Sequence, residues 1–248
     1  MNQGQQFWDQ SWQGAAERVV PPDLPTFEND IDTRKVEFLG ARLPRAGKAL
    51  EVGCGSARLL CRMGREAPLE LFAVDNAPSA LELAKATARV FGVEVAPVTG
   101  DAFSLPFDTG TFDLVLSGGL LEHFPDPQPV LAEMVRVLKP GGVFYADVVP
   151  RRISWFRWTE IVRMLRTDEM SPGVHESDHP SARYERWLTD LGVQSIQVAP
   201  AGIYPPFVTR LSTSKRRWLT KTLAHLEKTP FAERLGWYFR VSGIKRRL

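Results

Sequence analysis

Short apolar runs alternate with longer amphipathic stretches from residue 33 to about residue 150. The runs are nearly continuous, which is typical of strands covered by helices on both faces of a parallel sheet. They are KALEV (48–52), ELFAVD (70–75), VEVAPV (93–98), FDLVLS (112–117) and GVFYADVV (142–149). This rhythm predicts consecutive β-α units and therefore an α/β fold.

Helices are predicted between the strands, notably over residues 78–91 and 129–138. The second of these has clear boundary signals. Asp126 can cap its N-terminus, Pro127 suits its first turn, and the KPGG segment that follows it ends the helix. Another helix is expected to begin near Ala57.

The rhythm changes after Pro150. Residues 153–166 (ISWFRWTEIVRMLR) predict an amphipathic, cationic and aromatic-rich helix, and residues 182–192 and 212–227 predict two more. The segments VQSIQVAP and GWYFRVSGIKR predict a sixth and a seventh strand. The expected plan is a seven-stranded sheet whose last two strands carry the inserted material.

Composition narrows the class of protein. The chain has 248 residues, of which 44% are hydrophobic and 24% are charged, so it can bury one sizeable core and is not disordered throughout. Its polar N-terminus does not resemble a signal peptide, and it lacks an apolar run of about 18 residues. With only two cysteines, a reducing cytoplasmic location is expected.

Charge is distributed unevenly along the chain. Residues 1–150 hold 13 Lys and Arg against 20 Asp and Glu, a net charge of −7, so the remaining residues carry +9 of the total of +2. An ordinary solvated surface accounts for this asymmetry. A basic face for an anionic substrate, a nucleic acid or a membrane surface is the alternative.

The most informative stretch is KALEVGCGSARLL (48–60), in which a strand runs into Gly53 and Gly55 and a helix follows. Two glycines at such a turn let a ligand approach the backbone and the helix N-terminus. Asp75 ends the next strand, where a carboxylate can accept hydrogen bonds from ribose hydroxyls. Arg58 occupies the last position of the dinucleotide fingerprint, which disfavours a nicotinamide-dependent oxidoreductase.

Four motifs in this order resemble the class I S-adenosylmethionine-dependent methyltransferases, especially the group that acts on small molecules. The resemblance covers residues 33–150 strongly and the C-terminus more loosely. It implies a Rossmann-like, mostly parallel sheet with helices on both faces, an antiparallel last strand and a helical substrate cap. It also implies S-adenosyl-L-methionine as the cofactor and S-adenosyl-L-homocysteine as its product. Many members have a glycine where Ala57 stands.

The resemblance implies a set of cofactor-binding residues. The glycine loop would pass the methionine moiety, the acid after the second strand would hold the ribose, and the pair after the third strand would flank the adenine. Ser117 and Gly118 would approach the methionine end. The complete set is Glu51, Gly53, Cys54, Gly55, Asp75, Asn76, Asp101, Ala102, Phe103, Ser117 and Gly118.

We expect one methyltransferase domain over residues 1–248. It would comprise an N-terminal lid, a cofactor-binding core, a cap insertion, and C-terminal strands with a helix. These parts are expected at residues 1–35, 36–150, 151–185 and 186–248, respectively.

His123 is the candidate general base, because the loop after the fourth strand faces the cofactor in this fold. Glu122 is a weaker alternative, and an amine or thiol acceptor would need neither. Packing beside Phe124 is the competing role for His123. No metal is required for methyl transfer from a sulfonium.

The segment SPGVHESDHPS (171–181) contains H-E-x-x-H, the pattern of zinc proteases. Zinc binding needs both histidines on one face of a helix, but Pro180 follows His179 and disfavours helical geometry before it. We therefore interpret the match as accidental. The segment is expected to be a loop entering the next helix, which Asp178 or Ser181 would cap.

Aromatic and cationic residues of the expected cap favour an apolar or planar acceptor, with a soluble natural product ahead of a lipid or quinone-like molecule. The segment 153–166 is a candidate for transient membrane contact. An RNA methyltransferase is disfavoured by the SGGLLEHF motif, and a non-catalytic cofactor-binding scaffold or sensor is the rival from another class. The sequence leaves the oligomeric state open. The candidate substrate residues are Trp8, Trp12, Glu122, His123, Trp155, His175 and His179.

Overall fold

A twisted sheet of seven strands forms the centre of the molecule. The computed structural model describes residues 3–15, 19–151, 154, 175–205, 207–229 and 232–247. The strands are β1 (Gly47–Val52), β2 (Leu69–Asp75), β3 (Val95–Thr99), β4 (Phe112–Gly118), β5 (Leu138–Val148), β6 (Val193–Ala201) and β7 (Tyr238–Lys245).

The strands are arranged in the order β3-β2-β1-β4-β5-β7-β6. The first five pair in parallel, whereas β7 runs antiparallel to both β5 and β6. The predicted α/β class, the number of strands and the antiparallel last strand are confirmed.

Helices flank the sheet within the described residues. They are α1 (Gln3–Trp12), α2 (Phe27–Leu39), α3 (Arg58–Glu66), α4 (Pro78–Phe91), α5 (Gln128–Val137), α6 (Ser181–Asp190), α7 (Thr213–Leu223) and the short α8 (Ala232–Leu235). Single 3₁₀ turns cover Gly40–Arg42, Leu121–His123, Val208–Arg210 and Leu226–Lys228. The predicted helix at 153–166 lies almost entirely outside the described residues.

Two apolar cores occupy the two faces of the sheet. Side chains alternate between faces along a strand, so Leu114 and Leu116 pack with α3 and α4 while Val115 packs with α5. All three are fully buried. Because both faces are covered, the central strands read as continuous apolar runs in the sequence.

The topology fixes where a ligand can bind. β1 lies between β2 and β4, so the chain leaves β1 towards one edge of the sheet and later returns on its other side. The crevice outside the carboxyl ends of such diverging strands is where open α/β sheets bind ligands. The loops after β1, β2, β3 and β4 all reach this edge.

Local boundary signals were partly right. The Asp126 carboxylate accepts a hydrogen bond from the Gln128 backbone N–H at 3.0 Å at the start of α5, but Pro127 rather than Asp126 is the N-cap residue. The expected cap of α6 is wrong, because Pro180 precedes that helix and makes no side-chain cap. The Ser181 hydroxyl instead donates to Glu233 at 2.7 Å. Within the described ranges, the protein has no helix that is both long and apolar enough to cross a bilayer.

Lys245 provides a test of how the sheet is tied to α5. Its ammonium group donates to the carbonyl oxygens of Val135 at 2.7 Å and Leu138 at 2.8 Å, where α5 ends and β5 begins. Lys245→Met would leave these acceptors without their donor, so we expect the free energy of unfolding to fall by about 1–3 kcal/mol. Urea denaturation measures the loss.

Lys228→Met at an exposed position is the matched control and should change the stability by less than about 0.5 kcal/mol. Equal stability of Lys245→Met and the wild type would show that these contacts contribute nothing to the fold.

Candidate active site

A cavity of about 560 Å³ lies at the carboxyl edge of the sheet, where β1 and β4 diverge. Its volume is in the range of small-molecule and cofactor sites. The glycine loop, the ends of β2 and β4, the loop after β3 and the helices α1 and α2 form its wall. The predicted residues in that wall are Trp8, Trp12, Glu51, Gly53, Cys54, Gly55, Asp75, Asn76, Asp101, Ala102, Phe103, Gly118 and His123.

The glycine loop is as tight as its sequence predicts. Gly53 and Gly55 have φ angles of 63° and 47°, a region that side-chain-bearing residues rarely adopt. A Cβ atom on Gly53 would lie 2.6 Å from the Leu120 side chain, and one on Gly55 would lie 2.8 Å from the Trp12 ring. Both positions therefore exclude larger residues for conformational and steric reasons.

Ala57 also has a positive φ angle, of 51°. A left-handed backbone favours glycine, which is the residue that the resemblance leads one to expect at this position. Its methyl group is fully buried, and its N–H donates to the Cys54 carbonyl at 2.6 Å. Alanine can adopt this left-handed conformation, but with backbone strain that glycine would not have.

Asp75 connects the end of β2 to the glycine loop. One carboxylate oxygen accepts from the Gly55 N–H at 3.0 Å, and the other accepts from the Ala77 N–H at 3.0 Å. Burial raises the pKa of Asp75, and these backbone donors oppose that effect. The carboxylate lines the cavity with its orientation already fixed, as recognition of a diol requires.

Glu51 is a buried acid at the floor of the cavity. Burial raises its pKa to about 8, against the opposing effects of the Leu60 N–H and the Lys35 ammonium. The Leu60 N–H reaches its carboxylate at 3.3 Å. A cationic group bound beside Glu51 would favour the carboxylate form and lower this pKa.

Lys35 is a cavity residue that the sequence analysis did not identify. Its ammonium lies 2.6 Å from the carboxylate of Asp147, which is 2% exposed and also accepts from the Tyr145 hydroxyl. Burial alone would lower the pKa of Lys35, but the carboxylates of Asp147, Asp32 and Glu51 raise it overall. Lys35 therefore keeps its positive charge in the cavity wall.

Arg58 brings a second cation to the same wall. Its guanidinium donates to Asp32 at 3.1 Å and to the Asn29 side chain at 2.7 Å, which ties α3 to α2. Arg58, the residue that breaks the dinucleotide fingerprint, thus holds α2 against the start of the helix that follows the glycine loop. Spacing alone gave no signal for this role, because the partners are 26 and 29 residues distant.

The loop after β3 forms the opposite end of the cavity. The Asp101 carboxylate accepts from the Phe103 N–H at 3.0 Å, which shapes the turn. Phe103 is 46% exposed, and its ring contacts that of Phe124 edge-on at 5.0 Å between centroids. An apolar face beside an exposed carboxylate suits a planar base with an amino group.

His123 lies in the 3₁₀ turn after β4. Its Nδ1 is 2.9 Å from the His175 carbonyl oxygen, which can only accept, so Nδ1 carries the hydrogen and Nε2 is left as the basic nitrogen. Burial lowers the pKa of His123, although the carbonyls of His175 and Gly119 and the Glu176 carboxylate oppose this effect. The ring is therefore neutral at pH 7.

Helix α1 closes the cavity from outside. Trp8 lies 4.9 Å from the His123 ring, measured between centroids, and stacks on Trp12 at 6.4 Å. The Asp9 carboxylate accepts from the Ser79 N–H at 2.9 Å, and the Ser79 hydroxyl donates to the Asp9 carbonyl at 2.7 Å. These contacts hold α1 against the N-terminus of α4.

Four predicted site residues that the structure describes are not in the wall of this cavity: Ser117, Glu122, His175 and His179. Ser117 is fully buried, and the backbone of Gly118 and Gly119 takes its place. His175 and His179 line a second cavity of about 440 Å³ beside Pro125. Trp155 lies outside the described residues.

Glu122 is buried behind the wall rather than in it. It is 2% exposed, and its Oε2 has no hydrogen-bond partner among the described residues. Burial raises its pKa to about 8, and a backbone donor from Val149 opposes the shift. Its Oε1 would lie 3.5 Å from a Cβ atom placed on Gly119, so only the backbone separates this acid from the cavity.

The H-E-x-x-H segment adopts an extended loop up to Pro180, as the sequence predicts. His179 Nε2 donates to the Pro125 carbonyl at 3.1 Å, and its Nδ1 accepts from Arg183 at 3.0 Å. With both nitrogens engaged, His179 has no lone pair for a metal. No group of three or more potential metal ligands occurs among the residues that the structure covers.

S-adenosylmethionine fits the chemistry of the first cavity. Its diol, ammonium and carboxylate groups match the Asp75 carboxylate, the Glu51 acid and the Lys35 ammonium. The wall also provides an apolar end at Phe103. The Lys35 ammonium lies near the Glu51 acid, which a bound cation would bring to its carboxylate form, so the pair suits a zwitterionic ligand.

Comparison with known proteins points the same way. Residues 50–146 match a family model described as a methyltransferase domain. The chain is 28% identical over 186 residues to a ubiquinone biosynthesis O-methyltransferase of Xanthomonas axonopodis, a match that covers 73% of this chain and 77% of the relative. It is 29% identical to norajmaline N-methyltransferase of Rauvolfia serpentina, with 60% of this chain and 53% of that protein covered.

Among solved structures, phosphoethanolamine N-methyltransferase 2 of Haemonchus contortus, in complex with S-adenosyl-L-methionine, superposes with a TM-score of 0.59. The match covers 88% of this chain and 53% of that chain, at 18% sequence identity. At this level of sequence identity, the comparison shows a shared fold and nothing further.

The buried acid Glu122 should make stability depend on pH. Its folded pKa of about 8 lies above the ordinary value of 4.5, so its contribution is complete below about pH 4.5 and is lost as the pH rises through about 8. Glu122→Gln removes this loss. We expect the variant to match the wild type at pH 5 and to melt at a higher temperature than the wild type at pH 8.5.

Thermal melts across this pH range measure the effect, and Glu94→Gln at an exposed position is the control. Parallel curves for Glu122→Gln and the wild type at every pH would contradict a buried protonated acid at this position.

Proposed function

Because the chain carries a class I S-adenosylmethionine-dependent methyltransferase domain, we propose that it methylates a hydroxyl group of a planar small-molecule acceptor. The acceptor is held between α1 and the turn after β4. The observation that carries this proposal is the 2.9 Å contact between His123 Nδ1 and the His175 carbonyl. It fixes the tautomer whose Nε2 can take a proton.

For methyl transfer the protein mainly has to align the methyl donor with the acceptor, exclude water and remove a proton. Bound S-adenosylmethionine supplies an electrophilic methyl group on a sulfonium. His123 would take the hydroxyl proton on Nε2 as the acceptor oxygen bonds to the methyl carbon, whose bond to sulfur would break and leave the electron pair on S-adenosylhomocysteine. Its pKa is lowered by burial, so the neutral form needed for this step is already present at pH 7.

The cofactor is held by residues from several elements in this proposal. Asp75 accepts from the ribose hydroxyls, Glu51 faces the ammonium and Lys35 faces the carboxylate. Phe103 would cover the adenine, and Asp101 would accept a hydrogen bond from its amino group. The two fixed backbone donors on Asp75 make its site pre-organised, which reduces the entropy lost on binding.

Helix α1 acts as the lid. Trp8 beside His123 forms one wall of the acceptor site, and Trp12 covers Gly55. Aromatic walls favour a planar acceptor, since offset stacking adds about 0.5–1.5 kcal/mol to burial. Closure of α1 excludes water from the reacting groups.

Both a hydroxyl and an amine acceptor occur among the names of the relatives. The basic nitrogen of His123 supports the hydroxyl, because an amine that arrives unprotonated needs no base. A cofactor-binding scaffold without turnover uses the same Asp75 and Gly55 contacts, so binding and turnover have to be tested separately.

Cofactor binding is tested by titration calorimetry with S-adenosylhomocysteine. We expect a micromolar dissociation constant for the wild type, about −8 kcal/mol. Asp75→Ala should weaken binding roughly tenfold or more, because hydrogen bonds to a charged group contribute about 1.5–3 kcal/mol.

Glu94→Ala serves as the control, and circular dichroism verifies that Asp75→Ala is folded. Asp75→Asn provides a milder variant that can keep one acceptor oxygen. Absence of heat and of thermal stabilisation with folded wild-type protein would reject the assignment of the cavity.

The proposed base is tested by His123→Asn. The amide can still donate to the His175 carbonyl, but it has no basic nitrogen. With phenolic acceptors and radiolabelled S-adenosylmethionine, we expect kcat to fall by about 10²–10⁴-fold while S-adenosylhomocysteine affinity is unchanged.

In the wild type, kcat/KM should rise with pH through a pKa below the ordinary histidine value of 6.5 and then level off, because burial disfavours the charged ring. Full activity of His123→Asn, or turnover of amines but never of hydroxyls, would reject His123 as the base. Binding of the cofactor analogue without any turnover would favour the scaffold.

A further inference from the structure

The segment between β6 and β7 carries an exposed surface that is basic and aromatic. Residues 202–226 contain five Lys and Arg (Arg210, Lys215, Arg216, Arg217 and Lys221) and no acidic residue. Trp218 is 69% exposed, the highest value for a large hydrophobic side chain among the described residues. Neither feature has a role in the cofactor cavity.

Helical geometry places two lysines beside this tryptophan. Lys215 and Lys221 lie three positions before and after Trp218 on α7, so all three side chains share one face. Both lysines are in α7, and neither forms an ion pair with a carboxylate within the described part of the chain. A tryptophan flanked by free ammonium groups is typical of a surface that meets a lipid interface.

Further apolar side chains lie at both ends of α7. Phe207, just before the preceding 3₁₀ turn, is 53% exposed, and Leu226 in the following turn is 41% exposed. Arg210 adds an exposed cation between Phe207 and the helix. The face thus combines aromatic and aliphatic groups with basic residues. Glu227, in the turn after α7, is 12% exposed and pairs with Arg34 and Arg240.

The opposite face of α7 is fixed to the domain, so the exposed face cannot turn inward. Arg216 is 6% exposed, and its Nε donates to Asp30 at 3.1 Å while its other nitrogen donates to the Pro25 carbonyl. Arg217 reaches the same Asp30 carboxylate at 3.2 Å. These contacts join α7 to α2, the helix that brings Lys35 to the cavity.

The position of the segment relates this face to the active site. Ala201, the end of β6, pairs with Tyr238, the start of β7, and the next residue, Phe239, pairs with Val148 at the end of β5. Residues 202–237 therefore leave and rejoin the sheet at the carboxyl edge, where the cavity lies.

We propose that α7 and its flanking turns form a docking surface for an anionic lipid bilayer, with Trp218 at the headgroup level. Charge complementarity selects this partner, because the free ammonium groups of Lys215 and Lys221 meet anionic headgroups while Trp218 and Phe207 enter the interface. The docked protein presents the carboxyl edge of its sheet near the bilayer. The inference does not rest on the proposed methyl acceptor.

Vesicle co-sedimentation at low ionic strength tests the proposal. The wild type should bind vesicles made of equal parts phosphatidylglycerol and phosphatidylcholine, and should not bind phosphatidylcholine alone. Lys215→Gln combined with Lys221→Gln should weaken binding by roughly fivefold for each lysine removed. Trp218→Ala should weaken it roughly tenfold, since an interfacial aromatic group loses its apolar contact.

Arg89→Glu is the matched control. It lies at an exposed position on α4 and changes the net charge by the same amount as the double lysine variant. It should bind vesicles like the wild type. All variants should keep the wild-type affinity for S-adenosylhomocysteine, so a failure of docking is distinguishable from a failure of the cofactor site.

Several results would overturn the proposal. One is the absence of wild-type binding to anionic vesicles. Others are equal binding to neutral vesicles, and an equal loss in Arg89→Glu and in the double lysine variant. Binding of a single-stranded oligonucleotide through Lys215 and Lys221, without binding to vesicles, would assign the surface to nucleic acid instead.

Discussion

The ion pair between Lys35 and Asp147 is the interaction on which the cavity depends. It joins α2 to β5 at 2.6 Å, with the Asp147 side chain 3% exposed and the Lys35 side chain 17% exposed. A buried charge without a partner would cost several kcal/mol, so neither residue can be replaced alone without a large penalty. The pair holds α2 at the carboxyl edge of the sheet and places a cation in the cavity wall.

The other features of the site follow from this arrangement. Arg58 and Asp32 extend the polar contacts between α2 and α3, which fixes the helix after the glycine loop. Asp75 then fixes the loop itself through the Gly55 N–H. The cofactor cavity is thus held by polar contacts between elements that are distant in sequence, while the apolar cores hold the sheet and helices below it.

The turn after β4 is organised by a different set of contacts. The Ser177 N–H donates to the Glu122 carbonyl at 2.7 Å, and the His175 carbonyl accepts from His123. Together with the contact of His179 to Pro125, these bonds hold the segment 175–179 against the turn that carries His123, the proposed base. The segment that resembles a zinc motif therefore positions His123 in another loop. It does so through the backbone carbonyl of His175 and the side chain of His179.

The sequence by itself determined the sheet, its parallel core and the loop that meets the cofactor. Continuous apolar runs and a pair of glycines after β1 are local features, and local sterics decide them. Only the tertiary structure decided that Lys35 enters the cavity, that Ser117 and Glu122 lie behind it, and that His179 is engaged elsewhere. Those outcomes depend on pairings across tens to more than a hundred residues, such as Lys35 with Asp147, which periodicity and spacing do not encode.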